Sequence, residues 1–404
     1  MSVQLLNPGP EPLSDVILRL PLPVSNDYQR VFGVDFAPPP VQVLDIPEGG
    51  KIGLFRLQRI DAGDSAWVYC LIDCRLRAFS PRQIAITTPL PRRIREDCLG
   101  PGYKVDPDAE QVSKAAAQIG SGQNDDMETA ERINNWMVGR YTYELDDKQL
   151  AATEILDAQT GSCSELARAF VALARHNGIP ARFVTGSRLR VDAPGYVDMI
   201  HHRWLELHVD GYDWFPVDIS RNVAKDDSNL RFGAIPARYL ALMRTPGLAE
   251  DPFLSTDLTM LNQQAFDVLK RRVRLVWYDS RVRDLRSLVR LIKNATPSES
   301  RRAHLREDIL ETDSSAAAPF LAMLLYPPFS RNGAKDAVAA LVKIGLPHAA
   351  PPLVDAAEYA PPATARAAKD ALAELTGESH ATADEWRLWL RGTINDLFRK
   401  SDRD

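Results

Sequence analysis

Hydrophobic and polar residues alternate with a period of two along much of the first 95 or so residues. Val16, Leu18 and Leu20 fall on one side of such a run, as the buried face of a half-exposed strand requires. Lys51–Ile60 and Ala66–Phe79 read as two further strands, joined by the turn Asp61-Ala62-Gly63-Asp64, and Asp45 to Gly50 is another turn signal. Proline is dense at Pro38–Pro40 and around Pro89 and Pro91. Residues 1–100 are therefore expected to form an all-β, sandwich-like domain.

From Asp106 the period lengthens. Residues 108–120 and 126–140 have helical spacing, with Ile133, Trp136 and Met137 on one face of the second segment. Thr153–Leu156 leads into the region around Cys163, and strand patterns return at Phe183–Thr185, Trp204–Val209 and Trp214–Asp218. This α+β mixture is assigned to residues 101–245. Past Leu261 the pattern is helical almost throughout, so 246–404 is expected to be an α-helical domain. Ala334–Gly345 echoes Ala368–Gly377 at an offset of 34 residues, the length of a helical-hairpin repeat. Two copies fall short of the ~3 that normally stand alone. A short HEAT-like domain that leans on its neighbours is expected, with Trp386 and Trp389 closing its end.

Composition narrows the function classes. The 404 residues are 45% hydrophobic and 25% charged, with net charge -5, as in ordinary globular chains of several domains. The Arg-rich stretches Arg271–Arg274 and Arg281–Arg290 are flanked by acids and read as solvated helix faces, so no nucleic-acid partner is expected. The opening residues lack the basic and apolar regions of a signal peptide, and no apolar run nears the ~20 residues of a membrane span. A cytoplasmic protein with no membrane partner is expected. Cys70, Cys74, Cys98 and Cys163 are too sparse for a disulfide framework and form no CxxC pair. Cys70 and Cys74 share a strand face and read as packing residues.

Candidate chemistry begins at Cys163. Leu166, Phe170 and Leu173 recur as one buried helix face, and Ser162 with Glu165 makes a capping box. Asn177-Gly178 followed by Pro180 ends the helix. Cys163 then takes the first helical position, where free amides and the helix dipole favour thiolate over thiol. A buried cysteine that happens to start a helix would look the same without a base nearby.

His202 supplies a candidate base. His202, Trp204, Glu206 and His208 share one strand face, opposite Arg203, Leu205 and Leu207. His201 and Glu206 read as structural, and His208 as an exposed residue near the turn. Asp210-Gly211 signals a hairpin that returns through Tyr212–Asp218. A two-residue turn makes paired numbers sum to 421 and sets Asp218 on the wrong face for His202. A three-residue loop makes the sum 422, facing Asp218 to Trp204 and diagonal to His202, within side-chain reach. The three-residue loop is therefore expected. A thiolate could then attack an acyl carbon, with an imidazole moving the proton and a carboxylate fixing the tautomer. The Cys163 amide is one oxyanion donor; Trp136, Tyr143 and Trp204 are candidates for further substrate or oxyanion contacts. A metal site built from Cys163, His202 and Asp218 is the competing arrangement, although its spacing fits no common zinc pattern.

The ordered set Gly161-Ser162-Cys163, Arg175, Gly178–Arg182, Gly186, His202–Glu206, Gly211, Trp214 and Pro216–Asp218 resembles the bacterial transglutaminase-like superfamily over roughly residues 105–225. The resemblance implies a papain-like α+β core with Cys163 as nucleophile, His202 as base and Asp218 as orienting carboxylate. It implies no metal and no cofactor. It also implies a peptide or protein substrate, cleaved or joined to an amine acceptor through a thioester, by a cysteine peptidase, amidase or acyltransferase. Arg203 departs from the pattern, since a small residue commonly stands there. An inactive scaffold is the other class, with the helical region presenting a surface to a protein partner.

Overall fold

The computed structural model describes the chain except residues 47–49, 85, 121–124, 146–147, 190–196, 199–200, 226–231, 249–269, 277–316, 327–332 and 402–404. The stretch Arg281–Arg290 and the start of the expected helical run at Leu261 lie outside the described residues.

The N-terminal region is β-rich, as its alternation predicts. Its strands are β1 (Ser2–Leu6), β2 (Leu13–Leu22), β3 (Gln29–Ala37), β4 (Gln42–Ile46), β5 (Gly50–Ile60) and β6 (Ser65–Leu76). β2, β5 and β4 form one antiparallel sheet, while β1, β6 and β3 belong to another. The turn at Asp61–Asp64 carries the chain from the first sheet to the second, so β5 and β6 are not a paired hairpin. Val16, Leu18 and Leu20 meet Val3, Leu5, Phe55 and Val68 in one core, so two sheets face each other across apolar side chains. Cys70 is part of this core and Cys74 packs at its margin.

The core region begins with α1 (Arg92–Leu99), a helix that the proline-rich composition does not announce. It continues through α2 (Glu110–Ile119), α3 (Asp126–Val138), β7 (Thr142–Tyr143), α4 (Ala152–Ala158) and β8 (Thr160–Gly161). Then come α5 (Cys163–His176), β9 (Ala181–Arg188), β10 (Val197–Asp198), β11 (His202–Val209), β12 (Asp213–Val217), α6 (Ile219–Ala224) and β13 (Tyr239–Thr245). The sheet order is β12-β11-β9-β13, all antiparallel. β11 and β12 pair Leu205 with Val217 and Val209 with Asp213, numbers that sum to 422. The loop therefore has three residues, Asp210–Tyr212, with Gly211 at φ +79° and Asp213 also left-handed.

Helix α5 departs from its pattern in one respect. Its periodicity predicts a single buried face, yet every residue from Cys163 to Arg175 is buried. The reason is the run of alanines among Leu166, Phe170 and Leu173, which lets other elements approach closely on all sides. α2, α3, α4, α6, β9 and β11 all pack against it. Arg175, near its C-terminus, donates to the carbonyls of Gly100 (2.8 Å), Ala181 (2.9 Å) and Pro246. Burial draws its pKa down to about 10.

The expectation of a helical chain past Leu261 needs a correction. Lys270–Val276 is a strand, β14, lying between β1 and β10 in the N-terminal sheet. Arg271–Arg274 is thus part of a strand and not a helix face. Its segment, KRRVRLV, alternates from Arg272 onward, and pairing with β1 decides the outcome over the local charge pattern. Farther on the chain is helical, at Ala318–Leu324, Ala334–Ile344, Ala350–Tyr359, Pro362–Thr376 and Ala383–Ser401. These helices share a core with Trp67 and Tyr69 of β6. Trp386 is buried in that core and Trp389 packs against it at 5.6 Å. Among the described residues no helix is long and apolar enough to cross a membrane.

Candidate active site

Cys163 is the first residue of α5, and its helix start is tied down by Glu165. The Glu165 carboxylate accepts from the Ser162 amide (2.8 Å) and the Ser162 hydroxyl (2.9 Å), and its other oxygen accepts from the Leu150 amide (2.7 Å). The serine hydroxyl donates to Glu165. β7 and β8 pair in parallel just before, with Tyr143 opposite Gly161.

His202 opens β11. Its Nε2 lies 2.7 Å from Asp218 Oδ2. Nδ1, the other ring nitrogen, is buried without a nitrogen or oxygen partner among the described residues and is left to the Cys163 thiol, with which the ring shares a side-chain interaction. Asp218 follows β12 and caps α6. Its Oδ1 accepts from the Ser220 hydroxyl (2.7 Å) and the Arg221 amide (3.1 Å), and its Oδ2 also accepts from the Tyr239 hydroxyl (2.6 Å). The structure thus brings Cys163, His202 and Asp218 into one chain of contacts, with the carboxylate fully supplied with donors.

The electrostatics follow from that chain. Burial pushes the Cys163 thiol up, but the hydrogen bond and charge of His202, helped by the Arg203 backbone amide, outweigh it, and the net shift is downward. Burial alone would lower the His202 pKa; the Asp218 charge and hydrogen bond, then Cys163, raise it to about 9. Burial raises the Asp218 carboxyl while the His202 charge and hydrogen bond, Arg188 and Tyr239 pull it far below the usual carboxylate range. Each shift favours a thiolate–imidazolium pair held by a charged carboxylate. Cys163 as a residue is 4% exposed.

The remaining candidates divide. Trp204 stacks on His202 at 5.9 Å, so it lies against the imidazole, and it is fully buried. The cause is the N-terminal region: Tyr28 packs on Trp204 at 6.5 Å and covers the strand face that carries it. Trp136 is half-buried, with its indole nitrogen buried and without a partner among the described residues. Tyr143 is half-buried one strand from Gly161. His208, expected to be exposed, is buried; its Nε2 is 3.0 Å from the Thr88 carbonyl oxygen, under the segment that precedes α1. Arg203 points to the other face, its guanidinium 4.9 Å from the centre of the Phe183 ring.

Glu206 is structural, as its position suggests, and more so than its neighbours foretell. Its carboxylate takes the Tyr28 hydroxyl (2.7 Å), Arg182 (2.8 Å) and Arg244 (3.0 Å), all in the interior. Burial would raise its pKa, but Arg244 and Arg182 bring it to about 2. Sequence reasoning missed Tyr239 and Ser220 altogether. Ser220 stands two residues after Asp218 and could have been found as a capping partner; Tyr239 lies on a strand whose pairing no local pattern reveals.

A thiol at a helix N-terminus, an imidazole on the neighbouring sheet and a carboxylate beyond the next strand define a cysteine–histidine–carboxylate constellation on an α+β core. Residues 113–219 match the family model of the transglutaminase-like superfamily, and this chain carries a transglutaminase-like domain there. Among solved structures, a candidate cysteine protease from Cytophaga hutchinsonii is similar at 16% identity and a TM-score of 0.43, covering 69% of this chain and 93% of that one. The periplasmic domain of TgpA from Pseudomonas aeruginosa is similar at 14% identity and a TM-score of 0.33, covering 56% of this chain and 72% of that one. No curated protein matches the chain.

Proposed function

We propose that the protein performs cysteine-dependent acyl chemistry on peptide or protein amides through a thioester. The observation that carries this reading is the coupling of Cys163, at a helix N-terminus, to an imidazole whose far nitrogen is 2.7 Å from a buried carboxylate. The Cys163 sulfur attacks the amide carbon and forms a C–S bond. The Cys163 amide, in the first turn of α5, donates to the developing oxyanion, with Trp136 or Tyr143 as the second donor. The C–N bond breaks as His202 Nδ1 passes its proton to the leaving nitrogen. Water or an amine then attacks the thioester, gives its proton back to Nδ1, and the C–S bond breaks. Water yields a peptidase or amidase; an amine yields an acyltransferase. The roles are Cys163 as nucleophile, His202 as acid and base, and Asp218 as the group that fixes the ring.

The test is the rate of iodoacetamide labelling at Cys163 against pH, with His202→Ala alongside. Rapid labelling that persists below the ~8.5 midpoint of a free thiol, and slows in the variant, is expected. Labelling at the free-thiol rate, indifferent to the variant, would remove the enzymatic reading. Adding an amine to a working hydrolysis assay separates water from amine as acceptor.

A second reading, an inactive scaffold, draws on the burial of Cys163, which is 4% exposed. On that reading the helices from Ala318 to Ser401, proposed as HEAT-like because Ala318–Leu324 packs on Ala334–Ile344 and Ala350–Tyr359 on Pro362–Thr376, offer the binding surface to a protein partner.

A further inference from the structure

Four donors converge on the Asp218 carboxylate, and three have an evident task. His202 is its acid–base partner, and the Ser220 hydroxyl and Arg221 amide form the start of α6 and fall on Oδ1. The fourth is the Tyr239 hydroxyl. It donates at 2.6 Å to Oδ2, the oxygen that His202 Nε2 approaches at 2.7 Å. Tyr239 comes from β13, outside the residues that match the transglutaminase-like model. It is 1% exposed, with its ring edge-on to His202 at 5.8 Å and to Trp204 at 5.2 Å.

We propose that Tyr239 is a positioning residue of this site: its hydroxyl shares Asp218 Oδ2 with the imidazole, draws charge from that oxygen, and so limits how tightly the carboxylate holds the imidazolium. The inference rests on the reading of Cys163, His202 and Asp218 as an acid–base unit. In a buried site a hydrogen bond to a carboxylate is strong, and two donors on one oxygen compete for the same electron density. An imidazolium gripped too firmly is a poor donor to a leaving amine, because acid–base catalysis is best with the pKa near the working pH. Tyr239 thus acts against the rise that Asp218 imposes on His202. Its own phenol, burial first and the Asp218 charge second, is held well above its ordinary pKa and stays a donor.

β13 is built to keep this contact fixed. The Gln29 side chain from the N-terminal region brackets Ala241, accepting from its amide (2.7 Å) and donating to its carbonyl (2.9 Å). The charged and titratable groups that face the unit are Cys163 from α5, Arg188 at the end of β9, and Arg221 from α6. Arg188 acts on both Asp218 and Tyr239, while Arg221 acts on Tyr239. Tyr239→Phe leaves all of them, and the ring, in place.

The experiment uses the full chain with Cys163→Ala, so that no thiol shares the proton, and with 15N-labelled histidine. The ring nitrogens of His202, assigned with His202→Gln, are followed by NMR against pH. Tyr239→Phe is expected to raise the His202 midpoint by about half a unit, since part of one hydrogen bond to a charged group is redirected. Asp218→Asn is expected to lower it. An unchanged or lowered midpoint in folded Tyr239→Phe would overturn the proposal. Should that variant fail to fold, 3-fluorotyrosine incorporated at position 239, a more acidic phenol and a stronger donor, must lower the midpoint; no change or a rise would overturn it equally. Neither outcome depends on activity, so the labelling of native Cys163 judges the enzymatic reading separately.

Discussion

Gly186 sits where two strands converge on the site, opposite His202 on one side and Ala241 on the other. A Cβ placed there would lie 1.9 Å from the Leu240 carbonyl oxygen, 2.9 Å from its carbon and 3.1 Å from the Ala241 Cα. These are backbone atoms, and no rotamer change removes them. Restoring a 3.4 Å contact requires β13 to move about 1.5 Å from β9. Gln29 resists that motion, and Tyr239, next to Leu240, must follow it. The Tyr239 to Asp218 separation would open from 2.6 Å to about 4 Å, beyond hydrogen-bonding range. Overpacking costs about 1–3 kcal/mol, and the lost bond to a charged acceptor about 1.5–3 kcal/mol. Gly186→Ala should therefore lose about 2.5–6 kcal/mol in urea unfolding and change the pH dependence of Cys163 labelling. Gly33→Ala, where nothing lies within 4 Å, is the control and should unfold like the parent. A Gly186→Ala variant with parental stability and parental labelling would refute the claim that close strand approach sets the site.

Other outcomes follow from the same contacts. Cys70 and Cys74 are pushed up by burial to about 12 and about 11, so in Cys163→Ser neither should react with iodoacetamide near neutral pH, as peptide mapping by mass spectrometry would show. Glu206 has its folded pKa depressed to about 2 from an ordinary 4.5, so its contribution to stability is complete above 4.5 and is lost as pH falls toward 2; urea midpoints between pH 5 and 2 should show that loss, and Glu206→Gln should flatten it. Glu206→Gln should itself cost about 3–5 kcal/mol near neutral pH, because Arg182 and Arg244 both lose the charge of the carboxylate they share in the interior. The raised pKa of His202 works in the opposite sense: its stabilisation is full below 6.5 and fades as pH rises through about 9, so His202→Gln should be less pH-sensitive on the alkaline side in the same urea experiment. Gln29→Ala strands a buried amide and a buried carbonyl of Ala241 and should cost about 2–4 kcal/mol, read from the same unfolding curves.

Local signals in the sequence carried the helix start at Cys163, the three-residue hairpin and the position of Asp218 diagonal to His202. Each depends on residues only a few positions apart, where capping and strand parity act. Long-range pairing stayed hidden. β13 reaches the site through contacts with β9 and Gln29, and nothing in Tyr239–Thr245 alone announces them. The charges of Lys270–Val276 suggest a solvated helix face, whereas the segment is a strand whose partner is β1 at the start of the chain. The burial of Trp204 and His208 is hidden for a related reason. Strand parity fixes which side a residue takes, but whether that side is open depends on Tyr28 and Thr88, more than a hundred positions away.

The placement of β14 has a consequence for biosynthesis. The N-terminal sheet has β1 bound on one side by β6 and on the other by β14, so one of its inner strands is made only after the whole transglutaminase-like domain. As the chain leaves the ribosome, α5 and its sheet emerge while the neighbouring sheet still lacks a central member. Ending the gene before codon 270 would therefore not release a free-standing transglutaminase-like domain; it would remove β14 and leave β1, still bound to β6, as an edge strand of the sheet beside Tyr28 and Gln29.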